Sequence, residues 1–415
     1  MSACTYRFFV GIDLGSECHQ VHVVDRDGCT VAERRLEHGG AALHCFRDWL
    51  DQATDGAAAQ QVAVAVEAPR GAVIDALLER GYAVFSINPK QLDRFRDRFS
   101  VAGAKDDRRD AWVLAQCLRT DGPLFRRLQL DDPRLVRLRE LSRGEEALRA
   151  DLRRQSNQLW SYLQRYFPAL LALSPAADEP WLWELLQRSR ALPDRAAQLL
   201  PPALTQLLRR HRIRRWSAQQ LSDGLRQPLP LAPGVATACA EQVLLLLPRL
   251  QLIHRQCAEL VVRMDQLVEE LTQDENFPEH RSLEILRSVP GVGRVCTATV
   301  LAEAFTPLAH KDYHALRALA GVAPVTQQSG KTCLVSMRRA CHRRLRHALF
   351  HTANAHMQHD ARARQLYLRL RQKGQTHARA LRGVADRLLK LLCVLLHHQT
   401  LYDPSQRALK PAPAG

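Results

Sequence analysis

Apolar and polar positions change rhythm along this chain, and each change marks a different kind of element. Near the start, "RFFVGI" is a continuous apolar run that ends at Asp13, the pattern of a strand buried on both faces. "HQVHVVDRDGCTVAERRLE" then alternates with period two around Asp27-Gly28, which predicts a β-hairpin. "QVAVAVEAP" (61–69) and "YAVFSINP" predict two further strands. The short amphipathic helix "GAVIDALLERG" lies between them and is stopped by glycine. A hairpin followed by alternating strands and helices predicts a mixed sheet with helices packed on it, an α/β domain over 1–132.

From about residue 133 the period is helical. "LVRLRELSRGEEALRADLRRQSNQLWSYLQRYF" is long, amphipathic and rich in arginine. Val243, Leu246, Leu250, Ile253, Cys257, Leu260, Met264, Leu267 and Leu271 alternate spacings of three and four, a heptad seam in which Pro248 marks a kink or the true start. Two long helices that bracket a Pro- and Trp-containing stretch predict a coiled-coil arm over 133–280, paired within one chain or between chains. The bracketed segment 168–234 reads as an irregular insertion with short helices. Residues 281–400 read as a mainly helical domain that ends in basic helices, and 401–415 as a flexible tail. The whole is a multi-domain α/β plus α chain.

Length and composition agree. The chain has 415 residues, too many for one ordinary core. Apolar residues make up 46% and charged residues 25%, a globular balance that excludes a disordered chain. The longest apolar runs, such as "VLLLLP" at 243–248, are too short to cross a bilayer, and the N-terminus lacks the parts of a signal peptide. A cytoplasmic location with no membrane partner is expected. Eleven cysteines, an odd number without a CxxC pair, read as buried free thiols and not as a disulfide or zinc framework. The net charge of +16 changes the picture most. Arginine dominates it, and guanidinium forks pair with phosphate at two points, so nucleic acid is the expected partner.

The acids suggest chemistry. Asp13 and Glu67 end apolar strands of the same predicted sheet, where a carboxylate can face a cleft from a rigid element. Asp107 and Asp110 in "AKDDRRDAWVLA" are three apart, side by side on a helix. Four carboxylates from three parts of one domain suit hard cations such as Mg²⁺, and paired ions support phosphoryl transfer. Turn caps and a salt-bridged surface account for each acid singly, and Asp106 rivals Asp107.

"FFVGIDLGSECHQVHVVDRDG", "VAVEAPRG", "YAVFSINPKQLDRFRDRFSVAGAKDDRRDAWVLA", "LRSVPGVGRVCTATVLAE" and "LAGVAPVTQQSGK" resemble, in order and at suitable spacing, the DEDD transposases of the insertion sequence 110 family, which are related to Piv-type DNA invertases. The resemblance implies a RuvC-like, ribonuclease-H-type domain at 1–132. It places the four metal-binding catalytic acids on Asp13, Glu67, Asp107 and Asp110, and selects Asp107 over Asp106. Mg²⁺, with Mn²⁺ as a substitute, is the implied cofactor. The serine of the Ser-Gly pair, Ser329, is the implied nucleophile, ahead of Ser336 and Ser288. The reaction implied is cutting and rejoining of DNA through a serine–DNA phosphodiester, which conserves bond energy across two transfers. One departure stands out: His342 sits where the family has asparagine.

Partners follow in the same way. The Pro-Gly-x-Gly turn with Gly291, Gly293 and Arg294 suits a helix–hairpin–helix contact with phosphate. Lys105, Lys331, Arg338, Arg339, Arg343 and Arg346 are further candidate contacts with nucleic acid. The resemblance implies element ends and target DNA as substrates, and a structured (bridge) RNA encoded by the element as guide. The arm that separates the two catalytic parts leads to the expectation of a homo-oligomer, dimer or tetramer, in a nucleoid-associated bacterial setting. A hydrolytic RuvC-like junction nuclease and a non-catalytic nucleic-acid-binding protein are the competing readings.

Overall fold

The computed structural model describes residues 6–67, 71–99, 106–129, 132–227, 231–330 and 332–405. The chain divides into two compact units, Met1–Asp132 and Pro133–Gly415.

In the first unit, β1 (Phe8–Leu14), β2 (Cys18–Val24) and β3 (Thr30–Glu37) form an antiparallel meander. The β2–β3 turn is set locally. Asp25 Oδ1 accepts the N–H groups of Asp27 and Cys29 at 2.9 and 2.8 Å, and Gly28 takes φ +88°. After α1 (Gly40–Ala53) come β4 (Val62–Val66), α2 (Ala72–Glu79), β5 (Ala83–Ser86), α3 (Pro89–Phe99), α4 (Asp107–Asp121) and β6 (Arg126–Arg127). The sheet order is β3-β2-β1-β4-β5-β6, with β4 parallel to β1 and β5. It is the mixed sheet that the alternation predicts.

The two faces of that sheet have different cores. Phe8, Val10, Ile12, Val62, Val64 and Val66 pack with Phe46 and Leu50 of α1 and with α2. Phe9, Ala63, Ala65, Ala83 and Phe85 pack with α4. Small residues on the second face let α4 lie close. At Gly11 the approach is closest: a Cβ there would stand 1.9 Å from Ala111 O and 2.6 Å from Ala115 N.

The second unit opens with α5 (Pro133–Tyr166), followed by α6 (Ala169–Leu173), α7 (Pro180–Arg188), α8 (Pro193–Ala197), α9 (Pro201–Arg210), α10 (Ala218–Leu225) and the long α11 (Val235–Gln273). α5 and α11 are antiparallel. Leu135 and Leu138 share a core with Met264, Leu267 and Leu271, while Leu159 and Leu163 share one with Val243, Leu246 and Leu250. The heptad positions of α11 line that contact, and the helix continues through Pro248. By length and composition alone α11 is the one described helix that could cross a membrane; its seam residues are buried against α5.

Segment 168–234 is more regular than its composition suggests. Proline stands in the first turn of α7, α8 and α9, where its missing N–H would be unbonded in any case and its φ is already helical. Trp181, Trp183 and Tyr166 fill the core beneath them, each worth roughly 5 kcal/mol of gross burial. Trp183 Nε1 and Tyr166 OH donate to Ala177 O and Ala191 O at 3.0 and 2.8 Å, so their polar ends are satisfied.

The remainder comprises α12 (His280–Ser288), α13 (Arg294–Ala309), α14 (Tyr313–Leu319), strands β7 (Pro324–Ser329) and β8 (Thr332–Met337), then α15 (Arg343–His359), α16 (Ala361–Gln372) and α17 (His377–His398). Within this mainly helical region the β7–β8 pair is an antiparallel hairpin that stands almost wholly exposed. Every described cysteine is a free thiol.

Candidate active site

The alternation of the sheet sets the direction of the two acids at its strand ends. Gly11 faces α4, so Asp13, two residues on, faces the same side. On β4, Ala63 and Ala65 face α4, and Glu67 continues that alternation one step past the strand. Ile12 pairs with Val66, so Asp13 and Glu67 are the next neighbours in register. Helix α4 supplies the others. Gln116 Nε2 donates to Gly28 O at 2.7 Å and Arg119 Nη1 to Arg26 O at 3.2 Å, which puts the end of α4 beside the start of β1. The helix therefore runs back along β1, and its first turn arrives where Asp13 lies. Asp107 and Asp110 precede Ala111 and Leu114 by four residues, on the stripe that faces the strand.

The four acids differ in surroundings. Asp110 is buried, and Arg96 of α3 meets it at two points, Nη2–Oδ2 2.9 Å and Nε–Oδ1 2.6 Å. Asp107 is exposed on the first turn of α4, where the dipole favours an acid. Asp106 is engaged otherwise: it is the N-cap and accepts from Arg108 N at 3.4 Å. Arg108 in turn pairs with Glu33. The donor set is all carboxylate oxygen, which fits a hard divalent cation. Among the described residues no three His, Cys, Asp or Glu side chains already stand within reach of one ion. Arg96 meets both carboxylate oxygens of Asp110.

Ser329 is the last residue of β7, exposed and paired with Thr332 across a two-residue turn in which Gly330 takes φ +54°. Its hydroxyl thus sits at the tip of a hairpin. The two rival serines have other places: Ser336 lies along β8, and Ser288 Oγ donates to Ile285 O and accepts Tyr402 N. Lys105 and Lys331 lie outside the described residues.

The Pro-Gly-x-Gly turn joins α12 to α13. Gly291 has φ +88°, and a Cβ on it would stand 2.3 Å from His356 N, so this glycine serves the approach of α15. His356 Nδ1 donates to Pro290 O at 2.7 Å. Gly293 has open space around it and precedes α13 with no side-chain cap, while Arg294 pairs with Asp265 at 2.7 Å. Arg338 and Arg339 follow β8; Arg343 and Arg346 lie in the first turn of α15.

One cluster was not legible in the sequence. Glu303 of α13 is buried and meets Arg143 of α5 at two points (both 2.9 Å), Arg344 at 2.7 Å and His342 Nε2 at 3.2 Å. Burial would raise its pKa; hydrogen bonds from His342 and Arg143 outweigh that and hold it at about 2. Arg344 also pairs with Glu146 and donates to Ser142. His342 is in addition the N-cap of α15, with Nδ1 accepting Leu345 N at 3.4 Å. It performs both tasks as the Nε2–H tautomer. The only sequence signal for this cluster was a lone acid in the apolar run "VCTATVLAEAFTPLA", followed by the unexpected His342.

Comparison with known proteins decides the family. A DEDD-type transposase family profile of insertion sequence 110 matches residues 10–168, and the profile of the IS116/IS110/IS902 transposase family matches 283–368. A protein of Streptomyces coelicolor provisionally named the mini-circle transposase for IS117 is 32% identical over 97% of both chains. This chain belongs to the IS110 family of DEDD transposases. A provisionally named transposase, y4uE, of Sinorhizobium fredii is 47% identical over 51% of this chain, and that match spans 58% of the relative's length. A 43.6 kDa protein of insertion element IS110, also from Streptomyces coelicolor, is 28% identical over 95% of each chain.

Proposed function

We propose that this IS110-family protein is an insertion-sequence transposase that cuts and rejoins DNA through a covalent Ser329–DNA phosphodiester. The observation that carries the reading is that the acid-bearing stretch and the serine-bearing stretch both match transposase families, with Ser329 exposed at a tight turn. In the chemistry, Ser329 Oγ attacks phosphorus, a P–O bond of the strand breaks, and the leaving oxygen takes a proton to end as a hydroxyl. Attack on the phosphoserine by another strand's hydroxyl reverses those bonds and frees the serine. Asp13, Glu67, Asp107 and Asp110 would hold Mg²⁺, or Mn²⁺ in its place. Bound there, the ion supplies charge stabilisation for the crowded phosphorus oxygens and a lowered pKa for the attacking hydroxyl.

Several features support the finer reading. The mixed sheet with its acidic edge suits a RuvC-like domain, and the antiparallel α5–α11 pair suits a coiled-coil arm. The arginine-rich faces of α5, α15, α16 and α17 suit a structured guide RNA, with base pairing supplying sequence and the protein reading backbone. The protein would work as a homo-oligomer on chromosomal DNA in the bacterial cytoplasm.

A denaturing gel tests this. With DNA spanning the gene's flanks and Mg²⁺, wild type should leave a protein–DNA adduct that survives boiling in detergent. Ser329→Ala should bind DNA and give none, and Asp13→Asn should lower adduct formation at least 100-fold. Cleavage without adduct would favour the hydrolytic nuclease, and binding without cleavage the non-catalytic reading.

A further inference from the structure

Arginines beside the base of the β7–β8 hairpin are gathered without a counter-charge. Arg382 of α17 donates through Nη2 to Met337 Sδ at 3.0 Å, a weak acceptor, and its Nε has no partner. Arg338, the residue after Met337, likewise has an unpartnered buried Nε. Arg346 and Arg379 lie close enough to Arg382 that, after burial, their repulsion depresses its pKa. Arg346 Cδ lies near Gly321, 3.5 Å from where a Cβ on that glycine would stand. Among the described residues no carboxylate pairs with any of these four, whereas Arg143, Arg287, Arg317 and Arg344 of the same unit each meet one. The backbone adds to the imbalance. Arg346 lies in the first turn of α15, and Arg379 and Arg382 in the first turns of α17; neither helix has an acid in its first turn. Both positive helix ends therefore add to the guanidinium charge.

Mutually repelling guanidiniums, two of them with an idle buried Nε, are stabilised by an anion that accepts several hydrogen bonds at once. A phosphodiester does so. We propose that Arg346, Arg379 and Arg382, with Arg338 beside them, form a phosphate clamp on the DNA strand that Ser329 attacks. The register sets the spacing. Ser329 pairs with Thr332 at the tip, and Met337 ends β8 at the base. Five residue steps at about 3.4 Å span roughly 17 Å. A strand of duplex DNA advances about 3.4 Å per nucleotide along its axis, so in the proposed clamp, with the hairpin laid along that axis, the clamped phosphate lies about five nucleotides from the reacting bond. The clamp holds the strand in register and takes no part in bond exchange; this inference rests on the Ser329 reading above.

The test uses full-length protein and a duplex spanning the gene's flank, with affinity measured by fluorescence anisotropy across salt concentrations. Arg382→Gln and the exposed-site variant Arg379→Ala should each lower the slope of log K against log salt by about one phosphate contact. Neither should lower the melting temperature, because each removes repulsion. A neutral methylphosphonate about five nucleotides from the cut should weaken wild type and leave Arg379→Ala/Arg382→Gln unaffected. An unchanged salt slope, interference only at distant phosphates, or a loss confined to an RNA probe would each overturn the clamp. An adduct at Ser329 with an unchanged slope defeats the clamp alone. A lowered slope without any adduct keeps the phosphate contact and defeats the Ser329 chemistry.

Discussion

Asp110 and Glu303 are both carboxylates with only a few per cent of their side-chain surface exposed, and both meet arginine, yet they sit in opposite settings. Glu303 is saturated. Two arginines and a histidine from α5, α15 and the turn before α15 converge on its two oxygens, and nothing further can be added. Asp110 meets one arginine, Arg96, at its two oxygens. Among the described residues neither Glu67 nor Asp107 forms an ion pair. A carboxylate enclosed by cations fastens helices together, whereas an exposed acid without a paired arginine, such as Asp107, can accept an ion from solution. Counter-charge separates a structural acid from a candidate catalytic one, and burial does not.

The comparison can be broken at Glu303 first. Glu303→Gln leaves Arg143 and Arg344 buried beside a neutral group and should destabilise the second unit by about 3–5 kcal/mol, read by denaturant unfolding. A companion effect is pH-dependent. Glu303 is held at about 2, below its unfolded value, so its contribution is fully present above the ordinary glutamate range. It is lost as pH falls toward about 2. That contribution is about 3 kcal/mol, and the Glu303→Gln variant should lack this part of the acid transition.

Gly11→Ala sharpens the other side. Its Cβ would collide with Ala111 O and Ala115 N, backbone atoms that move only with α4. We expect a loss of about 1–3 kcal/mol in the first unit. Adduct formation should fall further than stability, because the shift carries Asp107 and Asp110 away from Asp13. Equal losses would mean that the acids need not share that edge. The smallest effect belongs to His342→Asn. Asparagine keeps the N-cap of α15 but is too short to keep the same contact with Glu303, so unfolding should change by no more than about 1 kcal/mol. DNA binding should be unchanged. A large loss would mean that the histidine is integral to the Glu303 cluster.

Much of this was legible in the sequence where one element decides the outcome. Period-two alternation foretold the meander, and the heptad spacing of α11 foretold its buried seam. Asp13 and Glu67 were placed by ending apolar runs. Other features depend on contacts between distant residues and left no local sign. Arg143, Glu303 and Arg344 come from three helices, and only the fold brings them together. The β7–β8 hairpin left no strand pattern because both its faces are exposed, so burial imposes no alternation on it. Ser329-Gly330 was the one turn signal available. In segment 168–234 the composition pointed to short helices but not to their starts, because in α7, α8 and α9 proline begins the helix.

The most direct test of the account is to digest the protein after reaction with flank DNA and Mg²⁺ and locate the attached nucleotide by mass spectrometry. The account predicts a phosphonucleotide on the peptide that contains Ser329, at that residue. Attachment at Ser336 or Ser288, or cut DNA with every serine unmodified, would contradict it.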